Sequence, residues 1–389
     1  MLYRPEPSER EPMRVAYFGH DIADAAIRRR VQALQDDGCA VTGYMMRRRA
    51  PLAQEWPNID LGETRDAAFA QRLKQIFLGA EIAARQENNL ASADVIIARN
   101  LDMLACAFLA KRRAKLKVPV IYECLDIHRL LCRKDVVGKA LRFLEGWLLK
   151  KTSGLIVSSP AFLTEHFERF YSGMFQAHIV ENRLAARGNY GGRYPAGKGE
   201  VQGRLRIGWV GNLRCQRSLD LLCTVAERFP HSVEIHLHGI PAYTEVSRFD
   251  QQVAAHSNII FHGRYRAPED LASIYSGLDC IWAGDFMEAG QNSVWLLPNR
   301  IYEGGYFCTP PIAPTGTETA HWIERHECGF VLDDPLEQSL PGLAAQLLAD
   351  ASPLQVRARK LAELPDHIFV QPPGFLGKII RNSVAQQAI

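Results

Sequence analysis

No stretch of this sequence approaches the ~20 consecutive apolar residues that cross a bilayer. Residues Met1 to Pro12 are polar, carry Pro5, Pro7 and Pro12, and lack the apolar core of a secretory signal. The chain is therefore expected to be cytoplasmic, soluble or peripheral to a membrane. Its nine cysteines include no C-x-x-C pair and no regular spacing. We expect from this a reducing, cytosolic setting with no zinc site and no disulfide frame, and several of the thiols stand inside apolar runs, where they pack as small hydrophobes. No G-x-G-x-x-G follows the first strand-like run of either half, which disfavours a dinucleotide-dependent dehydrogenase. Walker motifs, D-x-D pairs and repeats beyond a two-domain echo are missing too, and no aromatic-interleaved basic module points to nucleic acid.

What is present suffices for two cores: 389 residues, 47% hydrophobic and 23% charged, make two ordinary domains. The net charge of +3 conceals an asymmetry, because residues 1–185 hold 28 Lys and Arg against 22 Asp and Glu, and residues 186–389 hold 18 against 21. Basic clusters at Arg28–Arg30, Arg47–Arg49 and Lys111–Lys117 are candidates to meet anionic lipid, nucleic acid or a phosphorylated acceptor, or else are solvated helix ends and loops.

Arg14–His20 is an apolar run ending at a glycine, followed by a helical stretch through Ile27, Val31 and Leu34. This strand–turn–helix start predicts strands at Val41–Met45, Val95–Ala98, Val118–Glu123 and Leu155–Ser158, alternating with helices at 67–85, 101–113 and 136–150. Alternation of this kind implies an α/β fold with a parallel sheet covered on both faces. Gly188, Gly191, Gly192, Gly197 and Gly199 mark a connector near 184–203. The pattern then restarts: strand 205–210, turn 211–217, helix 218–229, strand 233–238 and strand 259–262. We expect a first Rossmann-like domain over 13–184, a second over 204–364, and a tail, 365–389, helical around 375–385 and packed back on the first.

The strongest motif is Leu297-Pro298-Asn299-Arg300-Ile301-Tyr302-Glu303-Gly304-Gly305 followed by Pro310-Pro311-Ile312-Ala313. It resembles the donor-binding segment of family 4 glycosyltransferases of GT-B fold, in which two Rossmann-like domains face across a cleft. The resemblance implies that Glu303 binds the ribose hydroxyls and that the helix N-terminus at Asn299 and Arg300 faces a diphosphate, an arrangement that unpaired N–H groups favour. The family's second carboxylate, eight positions earlier, is Trp295 here, with Asp285 or Glu288 as candidate substitutes. A second segment, Ile207 to Ser218, is similar to the family's Gly-rich loop, with Asn212 in place of the usual Arg and Arg217 on the usual Lys. A fixed cation there stabilises a departing diphosphate, so Arg217, then Arg214, is expected to serve the leaving group beside Gly211. His238-Gly239 and Phe261-His262-Gly263-Arg264 end two further strands, where ligands of open α/β sheets sit, and the resemblance puts the backbone of Arg264 near the base.

On the other side, Gly19-His20-Asp21 ends the first strand, Arg99-Asn100 ends another, and Glu123 to Arg129 follows a third. An acceptor hydroxyl needs a carboxylate or imidazole to take its proton. Asp126 and His128 are the candidate bases, with Glu123 and His20 in reserve, and Gly19, His20, Arg99, Asn100 and Glu123 are expected on the acceptor wall. With Ser158–Leu163 and Val180–Arg183, these segments resemble bacterial succinoglycan-type exopolysaccharide glycosyltransferases over nearly the whole chain. That implies a UDP-sugar donor such as UDP-glucose, a saccharide acceptor on a polyprenyl diphosphate, no metal and no other cofactor. It also implies the inner membrane face, where Val136–Lys151 is a candidate surface helix. Family members generally retain anomeric configuration, but the missing carboxylate leaves inversion open. A sugar-nucleotide epimerase or hydrolase on the same scaffold, and a non-catalytic relative, are the competing readings.

Overall fold

Short apolar runs, most of them buried on both faces, build two separate parallel sheets. The computed structural model describes residues 11–48, 56–64, 69–188, 190, 193, 198–201, 203–287 and 292–386. The first sheet contains β1 (Arg14–Gly19), β2 (Ala40–Arg47), β3 (Asn58–Glu63), β4 (Val95–Arg99), β5 (Val120–Cys124), β6 (Gly154–Val157) and β7 (Ala177–Ile179), in the order β3-β2-β1-β4-β5-β6-β7. The second contains β8 (Leu205–Leu213), β9 (Val233–Pro241), β10 (Ile259–Gly263), β11 (Cys280–Trp282), β12 (Pro311–Pro314) and β13 (Phe330–Leu332), in the order β10-β9-β8-β11-β12-β13. Each sheet reverses its order once, between β1 and β4 and between β8 and β11. The crevice outside the strands' carboxyl ends at such a switch is where this class of sheet binds ligands.

The alternation of side chains sorts the first sheet's two faces. Val15, Tyr17, Val41, Ile97, Ile121 and Ile156 pack under the first helix, Ala25–Asp36, through Ile27, Val31 and Leu34. Ala16, Phe18, Tyr44, Ile96, Tyr122 and Leu155 pack on the opposite side with Met103, Leu104 and Ala107 of the Asn100–Arg113 helix. The last helix, Phe375–Gln386, returns to the first sheet and buries Leu376, Ile379 and Ile380 beside the first helix. Asp37 fixes its start, accepting hydrogen bonds from the N–H groups of Gly374 and Gly377 at 2.5 and 2.8 Å.

Three expectations need correction. The turn predicted at 211–217 is strand as far as Leu213, because Gly211 pairs with Gly239, Asn212 with Ile240 and Leu213 with Pro241. Glycine at both positions makes this possible: Gly239 has φ +145°, and a Cβ on it would lie 1.7 Å from the Gly211 carbonyl oxygen. The following helix accordingly starts at Gln216, not Ser218. Strands β3 and β7 had no counterpart in the predicted pattern, since both are sheet edges and β3 buries only Leu61. The glycine-rich connector lies partly outside the described residues, Gly191, Gly192 and Gly197 among them. Of the described part, Leu184 bridges Val370, and the Lys198 ammonium, which burial pushes down to about 8, donates to the carbonyls of Tyr275 and Leu278.

Candidate active site

Side-chain hydrogen bonds join the two halves where loops leave the sheets. Asn292 donates to Asp126 at 2.9 Å and to the carbonyl of Ile127. Ser159 donates to the carbonyl of Trp295, Asn182 to Asn299, and Arg29 of the first helix to Glu303. On the first-sheet side, Asp126, Ser159 and Asn182 each stand two or three residues beyond the end of β5, β6 or β7. The cleft is therefore bounded by carboxyl-end loops of the first sheet and by the segment from Asn292 to the Asn299–Tyr306 helix of the second.

On the second-sheet wall, Pro298 precedes the helix and leaves its first N–H groups without a side-chain cap. Glu303, a turn in, is 1% exposed. One of its oxygens accepts from Arg29 and the other from the Tyr275 hydroxyl at 2.7 Å. Burial alone would lower the Arg29 guanidinium, but Glu303 outweighs it and holds the charge. Arg300 is buried without a bonded carboxylate: it donates to the carbonyls of Val210 at 3.2 Å and Gly284 at 3.4 Å, and its Nε has no partner among the described residues. Burial pulls its guanidinium below the usual value, only partly offset by Asp285. Gly211, at φ +120°, brings bare backbone beside it, such that a Cβ would stand 3.6 Å from an Arg300 nitrogen. Arg214 reaches across the β8/β11 switch to Asp285 at 3.2 Å.

The expected leaving-group cation, Arg217, is not part of this buried cluster. Its guanidinium is 42% exposed, paired with Asp334 at 3.0 Å and near Glu337 at 3.7 Å, over the ring of Phe286. Asn212 and Arg264 are exposed at the ends of β8 and β10, and Arg264 follows Gly263 at φ +76°. His238 lies against His262 with ring centroids 4.1 Å apart, and burial and its histidine neighbours push it down to about 4. Glu288 falls outside the described residues. Asp285 is taken up by Arg214, and Trp295 gives its carbonyl to Ser159 while its side chain packs against the core of the first half.

On the first-sheet wall the expected acceptor residues divide into two groups. Glu123 and Arg99 are buried beneath the cleft, not on its surface. Glu123 accepts from Tyr17 and from Arg30 at 2.5 Å, while Arg99 donates to the Tyr17 hydroxyl at 3.1 Å. Burial would raise the Glu123 carboxyl, but Arg30 and Arg99 overcome it and hold it below the usual range. A carboxylate so enclosed positions the floor of the site and meets no substrate. Asn100 adopts φ 62° and accepts from the Leu125 N–H at 3.2 Å, tying the end of β4 to the loop after β5. Gly19 ends β1 against Ile27, and His20, its ring lowered by burial, lies 3.9 Å from Asp24.

The two candidate bases differ. Asp126 is open to the cleft, and the surrounding protein nonetheless raises its carboxyl above the usual value, with Asp285 adding to the effect and Arg214 opposing it. His128 caps the short Arg129–Cys132 helix, its Nδ1 accepting from the Leu130 N–H at 3.3 Å. With that lone pair engaged, the neutral ring carries its proton on Nε2 and has no free acceptor.

Arg29, Tyr275 and Asn292 are site residues that the motifs did not indicate. Arg28–Arg30 reads as a solvated basic run, yet Arg30 lies on the buried stripe with Ile27, Val31 and Leu34; an arginine on that stripe signals a buried partner. The surface helix Val136–Leu149 leaves Val136 81%, Phe143 77% and Trp147 49% exposed, with Lys151 3.1 Å over the Trp147 ring. Among the described residues no helix is long and apolar enough to cross a membrane.

No protein-family model matches the chain. It is 44% identical over 335 residues, 84% of its length and 83% of the relative's, to the succinoglycan biosynthesis protein ExoL of Rhizobium meliloti (strain 1021). Its structure is similar to that of HepE from Anabaena, solved with UDP and glucose, with a TM-score of 0.69, 14% identity, and 97% of this chain and 98% of that chain covered. Sucrose-phosphate synthase from Thermosynechococcus elongatus gives a TM-score of 0.71 at 14% identity, covering 97% of each chain. WaaG, a glycosyltransferase involved in lipopolysaccharide biosynthesis, gives 0.61 at 13%, covering 91% of this chain and 97% of its own. These likenesses assign the fold, two parallel sheets in the GT-B arrangement.

Proposed function

The chain belongs to the family of the succinoglycan biosynthesis protein ExoL, and from that premise we propose that it is a glycosyltransferase of exopolysaccharide synthesis. Its donor in this reading is a UDP-hexose, bound between Glu303 and Arg300, and its acceptor is a lipid-linked saccharide met at the Asp126 wall. The observation that carries the donor site is Arg300: a buried guanidinium that spends donors on two carbonyls, has an unpartnered Nε, and stands beside the bare Gly211 backbone. A cation in that setting favours an anion with several oxygens, and the uncapped helix start at Asn299 adds N–H groups to it. HepE, of like fold, was solved with UDP and with UDP-glucose.

In the proposed transfer the bond between the sugar's anomeric carbon and the diphosphate breaks, and its electron pair leaves on the diphosphate. Arg300, with Arg214, stabilises the charge that develops there, and Arg217 closes over the outer side if it exchanges its surface carboxylates for phosphate. Asp126 takes the proton of the attacking acceptor hydroxyl in an inverting displacement. A carboxyl raised by its surroundings and open to the cleft suits that task. In a retaining transfer the departing phosphate takes that proton instead. The lipid-linked acceptor and attachment to the cytoplasmic face of the membrane are supported by the basic first half and by the exposed apolar face of Val136–Leu149.

A thermal-shift series with UDP, GDP, ADP, NAD and UDP-sugars tests the donor site, since a ligand of the folded state raises the melting temperature. UDP or a UDP-sugar is expected to stabilise the wild type and to lose that effect in Glu303→Ala and Arg300→Met. Stabilisation by NAD alone, or an undiminished UDP effect in both variants, would overturn the assignment.

A further inference from the structure

Strands β9 and β10 bring three imidazoles together on one face of the second sheet. His236 and His238 are two residues apart on β9 and so project to the same side. β10 runs parallel at the sheet edge, with Ile260 opposite His236 and Gly263 opposite His238. The register slips between Phe261 and Gly263, which makes His262 the bulged residue. A bulge re-aims a side chain, and here it carries the His262 ring over both others, with centroids 4.1 Å from His238 and 5.2 Å from His236. His236 Nδ1 and His262 Nε2 are 3.0 Å apart, and one nitrogen from each of the three rings lies within 4.8 Å of the others. The proposed transfer reaction uses none of these contacts.

We propose that His236, His238 and His262 form a binding site for a divalent transition-metal ion of the zinc class, with three imidazole nitrogens as ligands and a fourth position open. A His-x-His pair on one strand with a third histidine from its neighbour supplies the nitrogen set that zinc, cobalt, nickel or copper prefer, whereas magnesium and calcium seek oxygen. Glu234 Oε2 lies 3.4 Å from His236 Nε2, a buried nitrogen with no hydrogen-bond partner among the described residues; a small shift of that carboxylate takes up the proton on Nε2 and leaves Nδ1 for the ion, as carboxylates behind metal-bound histidines do. Two cations stand near the site and both are paired: Arg204 donates to Glu234 at 2.8 Å, and Arg206 is held by Asp279 at 3.0 Å. The rings lie parallel, within 9° of one another, so binding turns the exposed His262 until the lone pairs converge. The absence of a C-x-x-C pair bears only on cysteine-built sites and leaves this one open.

The test uses the full chain, stripped of metal and titrated with Co²⁺. Saturation at one equivalent, with the visible absorption of four-coordinate cobalt and displacement by Zn²⁺, is the expected result. His262→Ala, at an exposed position that leaves the metal-free circular dichroism and melting temperature as in the wild type, is expected to lose the cobalt band. Zn²⁺ is expected to raise the melting temperature of the wild type but not of that variant. A wild type without a saturable band, or a band that survives His262→Ala, would refute the site. Neither readout depends on transferase activity.

Discussion

Arg300 and Arg217 come from the two separate donor-side motifs of the sequence, and their surroundings give them different work. Arg217 already has two surface carboxylates and water, so its charge is partly screened; Arg300 is buried with no bonded carboxylate, where a charge acts at low effective dielectric. Arg300→Met is expected to lower kcat/KM by about 10²–10³, the range for removing one preorganised donor at a developing anion, and Arg217→Met by less. Steady-state kinetics on both, with melting temperatures as a folding control, check the ranking. Asp126 gives a pH prediction in the inverting case. The base works deprotonated, so kcat/KM falls as pH drops through the Asp126 carboxyl, whose value is raised above the ordinary ~3.9 of aspartate. Asp126→Asn is expected to abolish that acid limb and to cost ~10²–10⁴ in rate; a pH profile unchanged by the substitution would remove Asp126 as the base.

At the scale of elements, the helix start of the proposed donor segment was legible because it is local. Pro298 through Glu303 form one helix start, and three-residue spacing places Arg300 and Glu303 on one side of it. Strands β1, β2, β4, β5 and β6 were legible from apolar runs that are buried on both faces. The edges β3 and β7 were not, since a strand with one covered face and a polar sequence loses the run that identifies it. Arg29 was illegible for another reason: its partner is 274 residues away, and nothing in a basic triplet distinguishes a solvated arginine from one that crosses a cleft. Glu123 shows the converse, a carboxylate at a strand end that points inward to Tyr17 and Arg30. Two elements yield stability predictions. Gly239→Ala sets a side chain at φ +145° against the Gly211 carbonyl, and is expected to cost ~1–3 kcal/mol from backbone strain alone, more with the clash, read by chemical denaturation. Asp37→Ala removes the cap of the returning Phe375–Gln386 helix, about 1 kcal/mol by the usual worth of a cap, and is expected to expose that helix to limited proteolysis before the rest of the chain.

Across the whole molecule, the Val136–Leu149 helix sets a row of apolar side chains among Lys139, Arg142, Lys150 and Lys151. Co-sedimentation with vesicles containing phosphatidylglycerol is expected to be strong at low salt, weaker at 0.5 M salt as charges are screened over roughly 4–5 Å, and lost in Phe143→Ser with Trp147→Ser. Equal binding to neutral vesicles, or binding unaffected by the double substitution, would exclude this face.

Two consecutive residues of the first helix hold carboxylates in different halves of the chain: Arg30 grips Glu123 under the first sheet, and Arg29 grips Glu303 in the second. Both guanidiniums are anchored to the backbone of one helix, so a shift of that helix strains both pairs. Glu123→Gln and Glu303→Gln, though they share no atom, are therefore expected to be non-additive in unfolding free energy by about 0.5–3 kcal/mol, the range for members of one network. The helix thus has one arm in each half of the chain, and in the proposed function a nucleotide that takes the Glu303 carboxylate releases the Arg29 arm while Arg30 stays on Glu123.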